Sequence, residues 1–417
     1  MSDEQRPDLE SSLPAPYQSG GKRKAPTRTS HTVAKVLLSS MMVLAMITGL
    51  GVTFLYRHLN GNLHVEDVSA QLGDNRPQPV EVEGPQDPLN ILVMGSDTRD
   101  GEGNNIDGLT GDGERSDTTI LIHLSADRQT AYGISIPRDT LVDRPECVND
   151  DGDTLSGGSS QMWNAAFAVG GPACTIKQFE ALTNVRIDNY VKVDFAGFRN
   201  MVDAVDGVEV CVPEEIDDRE HGILIKEGTR TIDGREALAY VRVRHGVGDG
   251  SDIGRIKRQQ AFVAAMVNKV VSGNTLARPD RLIGFLNAAT SSLTTDIQNI
   301  AQIAKIGYQF KDVGLKRIQF VTVPFQYSTA YPGRVELLPE AEDLWEKVRN
   351  DSPLGRLRDG AISADNPLGA SPSATQSASP SDGASSPSAS TSPTTTPSED
   401  ESAAEAAAAR EAVGLCA

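Results

Sequence analysis

The sequence predicts an α/β fold, an α-β-α layered sandwich around a mixed central sheet, preceded by one transmembrane helix. Three observations carry this prediction. Apolar runs of strand length alternate with segments of helical spacing through the middle of the chain, as when sheet and helices pack in layers on one core. Residues 36–56, VLLSSMMVLAMITGLGVTFLY, run for about twenty residues without a charge, which is long enough to cross a bilayer. The composition changes toward both ends, so a chain of 417 residues suits one large domain with non-globular ends better than three domains.

Residues 1–35 are polar and rich in Pro, Ser and Gly, with a basic cluster at Lys22, Arg23, Lys24 and Arg28. They read as a disordered cytoplasmic tail. No A-x-A cleavage site follows the apolar run, so 36–56 reads as an uncleaved anchor rather than a signal peptide. The basic residues before it, Lys35 included, place the N-terminus in the cytoplasm and everything after Arg57 outside the cell membrane. Residues 57–87 form a polar linker with Pro77, Pro79 and Pro85, extended enough to hold a domain off the membrane. The folded domain is expected over 88–350. Ser, Pro, Thr and Ala dominate 351–417, which is expected to be disordered because it cannot bury enough apolar surface to offset its ordering entropy. The net charge of -18, with basic residues in small groups among acidic ones, argues against nucleic acid as a partner.

Inside the domain, NILVMGSDTRD is a buried strand running into a loop, SDTTILIHLS at 116–125 is a second strand, and 131–136 is a third. The third closes on Pro137, Arg138, Asp139 and Thr140. Residues 101–114 are glycine-rich and acidic, with Asp107, Asp112 and Glu114, and read as a flexible cover whose spacing does not match a calcium loop. Helical spacing appears at 161–169 and 175–183, split by Gly170, Gly171 and Pro172. A strand at 189–194, an amphipathic helix at 195–205, a strand at 207–212 and a hairpin over 214–232 follow. A short helix at 234–238 leads into AYVRVRH, which has strand character. Helices are expected at 254–271, 279–289 and 297–309, then a strand at 317–323 and a closing helix at 337–348.

Four cysteines allow three full pairings, and an exported domain favours oxidation. Cys147 and Cys174 flank an irregular stretch and are the favoured pair. Cys211 either pairs with Cys174 or stays a buried thiol, and Cys416, in the tail, is expected to be unpaired. No C-x-x-C or paired-His spacing suggests a zinc site.

The chemistry concentrates in AYVRVRHGVGDGSDIGRIKRQQA, residues 239–261. On a strand, Arg242 and Arg244 would leave the same face as a cationic pair. Asp252, Arg255 and Gln259 follow at helical spacings of three and four. Guanidinium groups bind oxyanions bidentately and stay charged when desolvated, so converging arginines with one carboxylate suit a phosphate or pyrophosphate. The alternative is a solvated strand-loop-helix whose charges pair among themselves. Asp97 and Asp117, at strand tips, would meet at one end of the sheet, where two carboxylates suit magnesium completed by phosphate oxygens. Arg99, Arg115 and Arg138 would add positive charge there. His245 is read as structural rather than as a general base.

In this order, GSDTR at 95–99, RSDTTILIHL at 115–124, SIPRDT at 135–140, NAAFAVGG at 164–171, VDFAGF at 193–198, and YVRVRH with GSDIGRIKRQQ resemble the LytR-CpsA-Psr (LCP) family. The resemblance spans 90–271, continues more weakly to about residue 350, and suits the actinobacterial type. It implies an extracytoplasmic, membrane-anchored phosphotransferase that moves a glycopolymer from a polyprenyl-pyrophosphate carrier to peptidoglycan through a phosphodiester. It further implies that Asp97 and Asp117 bind Mg2+ with the pyrophosphate. Arg138, Arg242, Arg244, Arg255 and Gln259 would hold phosphate oxygens, Asp252 would orient the arginines or assist proton transfer, and Arg99 and Arg115 are second choices. The carrier's lipid would lie along residues such as Phe195, Phe198 and Met201. Other readings of the same site are a polyprenyl-pyrophosphate pyrophosphatase, with water as acceptor, and a non-catalytic envelope regulator that binds polyprenyl phosphates.

Overall fold

In the computed structural model the described residues are 32–98, 104, 114–218, 223–243, 247, 251–272, 278–310, 312–368, 407–408, 410–411 and 413–416. Among them one helix, Thr32–Asn62 (α1), is long and apolar enough to cross a membrane. It extends past the predicted 36–56 at both ends. The chain divides between Leu55 and Tyr56 into two compact units.

The second unit is built on an eight-stranded mixed sheet. Its strands are His64–Val65 (β1), Leu89–Ser96 (β2), Ser116–Leu124 (β3), Ala131–Ile136 (β4), Asn189–Val193 (β5), Leu293–Thr295 (β6), Ile318–Thr322 (β7) and Ile362–Ser363 (β8). They lie in the order β1-β6-β5-β2-β3-β4-β7-β8. β5 runs parallel to β2 and β7 parallel to β4, while β3 is antiparallel to both of its neighbours.

Alternation along each strand sends side chains to two faces. Leu92, Met94, Leu121, Ile134 and Ile136 face one core with Phe167, Ile176 and Phe179 of helix Ala165–Thr183 (α2) and with Leu344 and Trp345 of helix Glu340–Arg349. Leu124, Ala131, Ile318 and Phe320 face the other, against Ala261 and Ala264 of helix Asp252–Val271. These are the two helical layers that the sequence predicts. Within the sheet, Gly133 on β4 leaves room for the ring of Phe320, its partner on β7, because a Cβ there would stand 2.4 Å from that ring. A third cluster joins helix Phe195–Ala204 (α3), the hairpin Val208–Val212 with Gly228–Ile232, helix Gly234–Arg242 (α4) and Asp252–Val271 (α5). Helices Pro279–Ser292 (α6) and Ile300–Gln309 (α7) precede β7, and Glu340–Arg349 is α8.

Several expectations change. The supposed linker 57–87 is part of the domain: β1 pairs with β6, Val68 and Leu72 enter the main core, and Arg76 forms an ion pair with Glu180 at 2.6 Å. Its high polar content obscures these few apolar anchors. Residues 158–162 form a strand, Gly158–Met162, and the helix starts only at Ala165, kinked at Gly170 and Gly171 where the breaker stands. The ordered chain also passes 350, since Gly355–Arg358 forms a turn of 3-10 helix and β8 adds an edge strand.

Cysteine pairing is partly as expected. Cys147 bonds to Cys174. Cys416, expected to be unpaired, bonds to Cys211 across a separation of 205 residues, and neighbouring Leu415 is only 3% exposed. Cys211 sits on the hairpin, and local spacing carries no trace of a partner so distant.

Candidate active site

Strand direction gathers the site. β2, β4, β5 and β7 all end at one edge of the sheet and β3 begins there, so the residues just beyond them converge at the strands' carboxyl ends, where α/β folds place ligands. Gly95 pairs with Thr118 but Ser96 pairs with Ser116, which leaves Asp117 as the extra residue of a bulge. A bulge re-aims its side chain out of the alternating pattern.

Asp117 meets Arg138. Arg138 Nη1 donates to Asp117 Oδ1 at 2.7 Å, Nη2 to Asp252 Oδ2 at 3.3 Å and Nε to Asp139 Oδ2 at 3.2 Å. Burial disfavours the Arg138 cation, and the carboxylates of Asp117, Asp252 and Asp139 together outweigh it, so its pKa is raised. Arg255, 3% exposed, forms an ion pair through Nη1 with Asp252 Oδ1 at 3.0 Å. Arg334 reaches Asp139 Oδ1 at 3.1 Å. Burial, followed by a hydrogen bond to Asp252, raises Asp139 above its ordinary carboxyl value.

The turn carrying Arg138 is fixed from below. The backbone N–H of Trp163 donates to the Thr140 carbonyl at 2.8 Å and that of Asn164 to the Arg138 carbonyl at 3.2 Å. The Trp163 ring N–H in turn reaches Thr119 Oγ1 at 3.0 Å.

Asp97 lies on the other side of the bulge. Its N–H donates to the Arg115 carbonyl at 2.9 Å, and its Oδ1 accepts the Arg115 N–H at 2.5 Å. The Arg115 side chain is exposed. Ser96 Oγ donates to Glu114, which also faces Lys192 Nζ at 3.7 Å. Of the predicted acidic cover, Asn104 is 2% exposed and holds Asp194 and the Ala196 N–H. Asp107 and Asp112 lie outside the described residues.

Helix α5 begins at Asp252, where Ser251 Oγ accepts the Gly254 N–H, so an acidic side chain occupies the helix's positive end. Buried Gln260 ties α5 to the sheet through Ser135 Oγ, the Val321 carbonyl and Thr322 Oγ1 at 2.8–3.0 Å.

The segment before it corrects the sequence reading. AYVR is the end of α4, not a strand. The capping box formed by Asp233 and Glu236 starts the helix, and Ala237, Leu238, Tyr240 and Val241 bury its apolar face, so helical packing overrides the β-branched alternation. Arg242 is therefore the last residue of a helix and not part of a strand. Its guanidinium lies 4.6 Å from the Phe195 ring centroid, a cation–π contact. Gln259 donates to the Val241 carbonyl at 3.2 Å and closes the end of α4. Arg99, Arg244 and His245 lie outside the described residues.

The structure thus brings Asp117, Arg138, Asp252 and Arg255 into one network. It places Asp97 and Arg115 beside it, and Arg242 and Gln259 on the α4 and α5 side. Asp139, Arg334, Glu114 and Lys192 were missed as site residues. Asp139 was visible as Arg138's neighbour, whereas Arg334 arrives from a distant hairpin with no motif. Among the described residues no group of three or more His, Cys, Asp or Glu is placed to hold a metal.

The LytR_cpsA_psr family model matches residues 55–349. A cell wall biosynthesis protein of Corynebacterium glutamicum, LcpA, is 31% identical over 258 residues, covering 56% of this chain and 49% of that protein. The polyisoprenyl-teichoic acid--peptidoglycan teichoic acid transferase TagV of Bacillus subtilis is 30% identical over 269 residues, covering 63% and 64%. The chain spans about half to two thirds of these relatives' lengths. The crystal structure of protein gbs0355 from Streptococcus agalactiae shares the fold, with a TM-score of 0.52 at 22% identity, over 64% of this chain and 89% of that one.

Proposed function

Because the chain belongs to the LytR_cpsA_psr family, we propose that it transfers a glycopolymer from a polyprenyl-pyrophosphate carrier to peptidoglycan and joins the two through a phosphodiester. The observation that carries this reading is the Asp117, Arg138, Asp252, Arg255 network at the carboxyl ends of the strands. The carboxylates hold both guanidinium groups in place before the donor arrives, so little ordering is left to be done on binding. Arg138 and Arg255 then take pyrophosphate oxygens, with Arg242 and Gln259 on the α4 and α5 side and Arg115 beside Asp97; Arg244 and Arg99 are proposed as further phosphate ligands.

An acceptor hydroxyl of peptidoglycan attacks the phosphorus joined to the glycopolymer. The bond to the bridging oxygen breaks and polyprenyl phosphate leaves with the electron pair. Asp252, at the head of α5, takes the hydroxyl proton. Phosphoryl transfer needs mainly positioning and charge stabilisation, which this network is built to supply.

The residues fit a magnesium ion held by Asp97 and Asp117. Two carboxylates at adjoining strand ends, with phosphate and water completing the shell, match its usual protein donor set. Three guanidinium groups facing three carboxylates leave the network near neutrality, so a pyrophosphate calls for further positive charge. The ion supplies that charge when bound.

The carrier's lipid would lie against Phe195, Phe198 and Met201 of α3, beside the third apolar cluster. The apolar helix α1 would anchor the chain with its N-terminus in the cytoplasm and the domain outside. Two disulfides favour that oxidising side.

The test supplies the full-length protein with a lipid-pyrophosphate-linked oligosaccharide, Mg2+ and peptidoglycan. A covalent phosphodiester product is expected. Free phosphorylated sugar would point instead to a pyrophosphatase, and binding without product to a regulator; either would overturn the transferase reading.

A further inference from the structure

We infer that Arg334 is a positioning residue, which holds Asp139 so that Asp139 in turn fixes Arg138 for its phosphate contact. The inference rests on the proposed transfer reaction. Arg334 comes from the hairpin formed by Phe325–Tyr327 and Val335–Leu337, far along the chain from the arginine motifs. That hairpin grips the Asp139 turn through its backbone as well as its side chain. The Val335 N–H donates to the Asp139 carbonyl at 3.2 Å, Thr140 and Val335 form a parallel bridge, and Arg334 Nη1 meets Asp139 Oδ1 at 3.1 Å.

The two oxygens of Asp139 thus serve different guanidinium groups, Oδ1 for Arg334 and Oδ2 for Arg138 Nε. With Asp117 and Asp252 on its Nη atoms, Arg138 is fixed on every edge. The Asp139 contact alone leaves both Nη groups where a phosphate can exchange for a carboxylate. Asp139 is also burdened. Burial and a hydrogen bond to Asp252 raise its pKa, and Arg334 gives its Oδ1 a second cationic partner at 3.1 Å. Without it, Asp139 Oδ1 loses its partner, the carboxylate can turn away from Arg138 Nε, and Arg138 can rotate away from its working position. Arg334 itself does not need to touch the donor.

The experiment is a double-mutant cycle on the full-length protein with Arg334→Ala, Asp139→Asn and the pair. It reads the transfer rate, the melting temperature and the affinity for inorganic pyrophosphate with Mg2+. Each single variant is expected to lose about ten- to a hundredfold in kcat/KM, the scale of one charge-assisted hydrogen bond. The pair is expected to lose no more than either single variant, and Arg334→Lys to recover part of the loss. Because the two side chains form one ion pair, their effects on the melting temperature should also be less than additive. A full multiplicative loss in the pair would mean that Arg334 acts directly on the substrate, and unchanged rates in Arg334→Ala would mean that it does nothing; both outcomes overturn the inference. Wild-type protein that binds pyrophosphate but transfers nothing would defeat the transferase reading alone, and the same cycle read in pyrophosphate affinity would still decide the role of Arg334. Wild-type protein that binds no pyrophosphate overturns both.

Discussion

Replacing Cys416 with Ser should loosen the domain measurably, although the residue lies next to the end of the chain. The bond to Cys211 closes a loop of 205 residues. For that length the chain-entropy relation gives about 5 kcal/mol at 25 °C, and native disulfides typically contribute about 2–4 kcal/mol once residual structure in the unfolded chain is allowed for. Undocking the terminal segment would add the loss of buried Leu415, worth about 1.5–3 kcal/mol when fully exposed. It would also break the hydrogen bond from Arg410 Nε to the Cys416 carbonyl. The two contributions sum to about 3.5–7 kcal/mol, which at about 2 °C per kcal/mol for a domain of this size lowers the melting point by roughly 7–14 °C. Thermal melts of the full-length protein in detergent would measure this for Cys416→Ser, Cys211→Ser and the double variant, which should coincide. The loop argument fails if Cys416→Ser melts with the wild type, or if alkylation of the unreduced wild type labels Cys211 and Cys416.

Arg138→Ala removes the partner of three carboxylates, and we expect transfer to fall by at least a hundredfold, read with a lipid-linked donor; retention of wild-type turnover would remove Arg138 from the site. Chelating Mg2+ should abolish transfer and Mg2+ should restore it, while Asp117→Asn should need more of the ion for half-maximal rate; a rate indifferent to EDTA would contradict the metal proposal. Gln260→Ala removes a buried amide whose two N–H protons are shared among the Ser135, Val321 and Thr322 oxygens, and should cost about 1–3 kcal/mol in denaturant unfolding. Burial, opposed by nearby Lys192, raises Glu66 above its ordinary 4.5. The folded state therefore binds this proton more tightly than the unfolded chain, and the stability it contributes is full below about 4.5 and lost as pH rises through the folded value. Glu66→Gln should accordingly match the wild type at acid pH and exceed it near neutrality, a trend that melting curves across pH would expose.

The fold and half of the site could be read because their signals are local. A strand such as Ile120 to Leu124 announces itself by apolar content, and a strand end such as Asp97 or Asp117 by the polar residue that interrupts it. Asp252 and Arg255 needed only helical spacing, and the helix α5 that carries them begins at Asp252, two residues ahead of the expected 254. What was not legible is held by tertiary contact. α4 reads as a strand through Val241 and Val243 because branched residues alternate with arginines. Only the burial of Tyr240 and Val241 against α5 and the hairpin decides for a helix. The short strands β1 and β8 carry too few residues for any period, and both are defined by the partner that they pair with.

Sequence distance separates the residues of the site that carry a local signal from those that do not. Arg138, Asp117 and Asp252 each sit in a segment dense with polar residues at a strand or helix end, so sequence alone could nominate them. Arg334 and Cys416 reach their partners over 195 and 205 residues, and nothing in their immediate neighbours distinguishes them from solvated side chains. The residues proposed to touch phosphate sit in polar segments at strand ends and on helices α4 and α5, and such segments leave a local trace. Residues that hold those loops in position need only come near in space, so the supports of a site are where sequence reading should be expected to fall short. The Pro137 to Thr140 turn is held in this way, since the backbone N–H groups of Trp163, Asn164 and Val335 meet it from two directions.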